Sequence, residues 1–102
     1  NFLFLKFPFL YNDYIYIKDV VDALVKLKKL KKSEIINICS SKGISNYDFV
    51  KTFERVNKIK VLNIGSMKKT KKIQIGSNRK LKKLGWKQKY NLSKALKELC
   101  HL

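Results

Sequence analysis

The sequence predicts a mixed α/β fold with short strands and several helices. Two apolar runs, 14–17 and 35–39, are rich in the β-branched and aromatic residues that strands favour. They alternate with helical stripes: Val20, Val21, Leu24 and Leu27, then Phe49, Val50, Phe53 and Val56, then Leu92, Ala95, Leu96 and Leu99. Ser45, Ser77 and Asn91 each stand where a helix wants an N-cap, and Gly85 stands where one stops.

In chain order, Phe2 to Phe7 reads as a strand that Pro8 stops or confines to an edge. A second strand covers 14–17. Asp19 then N-caps a helix over 19–30, its carboxylate accepting first-turn N–H bonds, with Val20, Val21, Leu24 and Leu27 on the inner side. Lys28 to Lys32 place positive charge at the C-terminal end of that helix, where the dipole welcomes it. A buried strand follows over 34–39, then a turn over Ser40 to Gly43. Ser45 with Asp48 resembles a capping box, Asp replacing Glu, and opens a helix over 46–57.

Residues 58–64 alternate weakly, as a strand does. Residues 66–72 form a cationic loop, and 72–75 another strand. Ser77 caps a short helix over 78–84, Gly85 ends it in the left-handed conformation, and Trp86 packs back into the core. Asn91 opens a last helix over 92–101. There is no internal repeat.

A chain of 102 residues suits one domain with a modest core. Hydrophobic residues make up 45% of it, too many for a disordered tail. No apolar run approaches the roughly 20 residues of a membrane helix. Asn1 to Leu10 lacks the basic start and small-residue cleavage site of a signal peptide. The first residue is Asn, which fits a fragment, a truncated reading frame or a processed chain.

The formal net charge of +17 attracts phosphate backbones. Of the 24 basic residues, however, only Arg55 and Arg79 carry the guanidinium fork that specific nucleic-acid readers use. Non-specific binding of nucleic acid is the expectation, and a small lysine-rich nucleic-acid-binding protein is the rival reading. Lysines gathered on one face would favour that rival. Cys39 and Cys100 fit no zinc or redox spacing and read as free thiols of a reducing cytoplasm. His101, the single histidine, stands next to last and reads as solvated.

Two segments carry a resemblance. One is Asp13-Tyr14-Ile15-Tyr16-Ile17-Lys18-Asp19-Val20-Val21-Asp22-Ala23-Leu24; the other is Ser77-Asn78-Arg79-Lys80-Leu81-Lys82-Lys83-Leu84-Gly85-Trp86-Lys87. In this order and at this distance they resemble the C-terminal part of the extended short-chain dehydrogenases/reductases, the NAD-dependent sugar-nucleotide epimerases and dehydratases. Glu34 to Ser45 and Tyr90-Asn91-Leu92 resemble further stretches of that family. The likeness implies that residues 1–102 are one partial domain, the substrate-binding portion of a Rossmann-type enzyme without its Rossmann half.

The family's chemistry would lie elsewhere. No Gly-x-Gly-x-x-Gly run is present to cradle a dinucleotide pyrophosphate, so no cofactor is expected on this chain and NAD belongs to the intact enzyme. Tyr14 stands four before Lys18, and Tyr47 four before Lys51, the spacing of the family's catalytic pair. Tyr14 and Lys18 are expected on one strand face and Tyr47 on a packed helix, so no catalytic residue is assigned. No acidic or His cluster suggests a metal.

By resemblance, Asn12 occupies the place of an arginine that grips the substrate diphosphate. Lys68 and Lys69 stand in the loop that supplies a second arginine, and are read with Asn12 as substrate-binding. Arg79 is a weaker candidate. The implied partner is a sugar nucleotide held together with the absent half; a homo-oligomer is compatible, and no membrane is expected. A non-catalytic interaction module derived from the enzyme is the remaining alternative.

Overall fold

A computed structural model describes residues 3–4, 7–63 and 72–101. The elements run β1 (Leu3–Phe4), β2 (Leu10–Asp13), α1 (Ile17–Leu27), β3 (Gly43–Ser45), α2 (Asn46–Asn57), β4 (Leu62–Asn63), β5 (Lys72–Gln74), α3 (Arg79–Lys83) and α4 (Leu92–Leu99). Strand β2 is central in a three-stranded sheet of order β3-β2-β5, antiparallel to β3 and parallel to β5. Strands β1 and β4 form a separate parallel pair. Among the described residues no helix is long and apolar enough to cross a membrane.

Each of the four expected helices is present, and the side-chain caps expected at Ser45 and Asn91 form. Ser45 Oγ accepts from the Asp48 N–H at 3.0 Å, and Asn91 Oδ1 accepts from the Lys94 N–H at 2.8 Å. Gly85 takes φ +92°, the left-handed conformation that ends α3. Trp86 is buried with Ala23 and Leu81, and Ile15, Leu27, Ile36 and Ile38 pack around them. A second packing layer joins α2 to α4 through Val50, Ala95 and Leu96.

Several expectations are corrected. The strand at 14–17 instead occupies 10–13, and α1 begins at Ile17 rather than 19. Ile15 thereby turns into the core. Asp19 is consequently no N-cap: it lies in the first turn of α1 and is fully buried. The inner face of α1 is also rotated. Ala23 is buried, while Val21, Leu24 and Val25 stand more than half exposed beside Ile17 at 61%. The C-terminal end of α1 tightens instead of running to 30, with the Lys28, Lys29 and Leu30 N–H groups each bonding three residues back.

Residues 34–39 alternate in burial but pair with no strand. Side chains replace the ladder: Asn78 Nδ2 donates to the carbonyls of Cys39 and Ser40 at 3.2 Å each, and Lys80 Nζ donates to that of Ile35 at 3.0 Å. Asn78, not Ser77, is the N-cap residue of α3, and no side-chain hydrogen bond caps that helix. The expected turn at 40–43 gives way to β3 at Gly43, where a Cβ would meet Ile75 Cδ1 at 2.5 Å.

The molecule is flat. Its principal extents are 51 × 32 × 15 Å and its radius of gyration is 16.1 Å, against about 13 Å for a compact chain of this length.

Candidate functional site

Two buried or half-buried carboxylates organise the frame of the site. Asp13, at the end of β2, accepts from the Ser40 N–H at 2.8 Å, the Ser41 N–H at 2.9 Å, the Gly76 N–H at 3.2 Å and the Ser40 hydroxyl. Ser41 adopts φ +64°, which aims two successive N–H groups at one carboxylate. Asp19 accepts from the Lys89 N–H at 3.0 Å and the Tyr90 N–H at 3.1 Å, and its carbonyl accepts from Trp86 Nε1 at 2.9 Å. Asp13 thus clamps the 40–41 turn and the exit of β5 to β2. Asp19 clamps the 86–90 segment to α1. Sequence reasoning missed both roles, because their partners are backbone amides far along the chain.

Asn12 sits in the middle of β2, paired with Ile44 on one side and Gln74 on the other. It is half-buried, and its Nδ2 donates to Asn46 Oδ1 at 3.4 Å. The Tyr14 hydroxyl donates to the same oxygen at 3.1 Å, and Asn46 Nδ2 donates to the Phe7 carbonyl at 3.0 Å. Asn12 and Tyr14, two apart in sequence, therefore converge on Asn46, the first residue of α2. Lys68 and Lys69 lie outside the described residues. Arg79 is exposed at the start of α3.

Tyr14 also borders a concavity of about 320 Å³, whose other walls include Lys42, Asp48, Arg55, Gln88 and Asn91. The Arg55 guanidinium reaches Ser93 Oγ at 3.5 Å. Tyr14 also borders an apolar groove of about 220 Å³ between Phe49, Tyr90, Leu96 and Leu99. Its ring centroid is 4.7 Å from that of Phe49.

The Tyr/Lys pairs do not form proton-transfer dyads. Tyr14 and Lys18 do not share a strand, since α1 begins between them. The Lys18 ammonium pairs with Glu98, which raises its pKa, while the Tyr14 hydroxyl turns to Asn46. The same hydrogen bond from Lys18 holds the Glu98 carboxyl below its ordinary value. Partial desolvation, then the bond to Glu98, push the Tyr90 phenol up. Lys51 stands over the Tyr47 ring at 5.9 Å and pairs with Glu54 at 3.3 Å. Among the described residues no cluster of His, Cys, Asp or Glu could hold a metal ion.

The described glycines also offer no pyrophosphate cradle. Gly43 lies on an edge strand, Gly76 beyond β5 and Gly85 at a helix C-terminus; none opens a helix.

This arrangement is similar in fold to a portion of solved extended short-chain dehydrogenase/reductase epimerases and dehydratases. UDP-N-acetylglucosamine 4-epimerase from Bacillus cereus superposes with a TM-score of 0.78 at 23% identity, over 97% of this chain and 37% of its own. RMD from Pseudomonas aeruginosa, solved with NADPH, gives 0.80 at 17% identity, over 95% and 33%. dTDP-glucose 4,6-dehydratase from Bacillus anthracis, solved with NAD, gives 0.74 at 17% identity, over 94% and 32%. The chain spans about a third of the length of these proteins. No family model and no curated protein matches the sequence. The likeness is therefore one of fold.

Proposed function

We propose that this chain is the substrate-binding, C-terminal portion of an NAD-dependent sugar-nucleotide epimerase or dehydratase, and that it works together with the nucleotide-binding half of such an enzyme. The observation that carries this reading is the near-complete superposition of this chain on one third of such enzymes. The exposed stripe of Ile17, Val21, Leu24 and Val25 on α1 supports it. These positions recur at helical spacing and form a second apolar face that the chain does not cover. Covering four half-exposed aliphatic side chains is worth about 1 kcal/mol each. The flat shape fits a piece of a larger core.

In this reading Asn12, with Lys68 and Lys69, faces the diphosphate of the sugar nucleotide. None of the described glycines opens a helix to meet a pyrophosphate, and in this reading NAD and the proton-transfer pair belong to the other half. The chain alone then binds no NAD and turns over no sugar nucleotide. The test is to join it to a nucleotide-binding half of this fold and follow UDP-sugar or dTDP-sugar conversion. Activity of the joined protein, absent from each half, supports the reading. A joined protein that folds, binds NAD and still fails to bind any sugar nucleotide overturns it.

A further inference from the structure

Two open concavities share Lys82. One, of about 630 Å³, is bordered by Lys42, Lys82, Lys87 and Lys89; the other, of about 510 Å³, by Arg79, Lys82 and Lys83. No acidic residue borders either. Among the described residues, acids neutralise Lys18, Lys51, Lys80 and Lys89, whereas Lys42, Arg79, Lys82, Lys83 and Lys87 have no acidic partner. All five are exposed. Arg79, Lys82 and Lys83 stand at i, i+3 and i+4 of α3, hence on one helix face. Leu81, buried in the core, fixes that face outward. Lys42 and Lys87 extend the cationic surface beyond α3.

From this geometry we infer an electrostatic docking surface for the phosphate backbone of a nucleic-acid duplex. Charge complementarity selects a polyanion: five uncompensated cations line two concavities that share Lys82, and each one that meets a phosphate releases counterions. The surface chemistry selects duplex over single strand. Single strands are held by exposed aromatic rings on which bases stack. The one aromatic residue bordering these concavities, Trp86, is 3% exposed and spends its N–H on Asp19. Lysines also dominate the surface, and as point charges they hold phosphates without reading base edges. Binding is therefore independent of sequence. The test variant leaves Asn12, Arg79 and the 66–72 loop untouched, so it can fail without the sugar-nucleotide reading failing.

The experiment titrates the full chain against a fluorescent 20-base-pair duplex over a range of salt. A patch variant carries Lys42→Gln, Lys82→Gln, Lys83→Gln and Lys87→Gln. A control of equal charge carries Lys28→Gln, Lys29→Gln, Lys31→Gln and Lys32→Gln, all exposed beyond or at the end of α1. The expected result is a log–log salt slope shallower by roughly 3–4 in the patch variant and by less than about 1 in the control. Between 50 and 200 mM salt the wild type then loses about a hundredfold more affinity than the patch variant. Equal losses in both variants overturn the proposal, since the attraction is then net charge without a site. So does tighter binding of a single-stranded oligonucleotide than of the duplex. An equal patch-variant loss toward phosphatidylserine vesicles makes the surface a general anion contact and overturns the duplex assignment.

Discussion

The indole N–H of Trp86 donates to the carbonyl of Asp19 at 2.9 Å, across 67 residues of sequence. The Asp19 carboxylate accepts from Lys89 and Tyr90 immediately beyond that tryptophan. One buried residue thereby fastens the 86–90 segment to α1 with three hydrogen bonds, two of them to a carboxylate. The Asp19→Ala substitution leaves two backbone N–H groups unpaired and is expected to cost about 2–4 kcal/mol. The Trp86→Phe substitution removes one neutral bond and a little volume, at about 1–2 kcal/mol. Urea denaturation measures both. Asp19→Ala within 0.5 kcal/mol of wild type would show that the clamp does not hold in solution.

Exposed apolar surface sits on α1. At the N-terminal end Phe7 is 40% exposed, while Phe9 and Tyr11 are only part-exposed. Phe2 and the side chain of Phe4 lie outside the described residues. Leu24→Gln with Val25→Gln is expected to lower self-association of the chain while changing its stability by under about 1 kcal/mol, because neither side chain is in the core. Sedimentation velocity at rising concentration distinguishes the two proteins. Unfolding of the double variant would place these residues inside after all.

The Lys18–Glu98 pair joins α1 to α4 and makes stability depend on pH at both ends. Glu98 is held below its ordinary value of 4.5, first by the Lys18 hydrogen bond, so its contribution is present above 4.5 and fades as pH falls through its lowered value. Lys18 is raised above 10.5 by the same bond, so its contribution is present below 10.5 and fades as pH rises through its raised value. Tyr90, raised above 10.0 chiefly by desolvation, adds a further alkaline loss. The difference in melting temperature between wild type and Glu98→Gln should be flat at intermediate pH and shrink at both ends. High salt should shrink it throughout, since the pair is exposed. A difference that does not vary with pH would refute the pairing.

Asn12 carries no charge and spends its amide on Asn46. In the protein joined to a nucleotide-binding half, Asn12→Arg should tighten sugar-nucleotide binding about tenfold, the worth of one charge-assisted hydrogen bond gained. Lys68→Ala or Lys69→Ala should weaken it by a similar factor. Calorimetry with UDP-sugars reads all three. No change in any of them would mean that the fold survives here without the diphosphate contact.

The helices were legible from local chemistry, because a helix bonds within itself. Ser45 and Asn91 cap their own first turns, and Gly85 alone relieves the left-handed stop after α3. The family likeness was legible for a related reason: its two segments hold residues that the fold needs in place, such as Trp86 and Asp19. Strands were less legible, because a strand exists only by its neighbours. Residues 34–39 have strand composition and alternate in burial, yet Lys80 and Asn78 take up the carbonyls of Ile35 and Cys39 and no ladder forms. Residues 10–13 form the central strand because β3 and β5 flank them, a pairing no local pattern encodes. The inner face of α1 was likewise decided at long range. Leu24 is the more hydrophobic residue, but Trp86 and Leu81 pack on Ala23, whose small side chain admits a large ring. Only the tertiary structure could rotate that helix and leave its larger apolar residues facing outward.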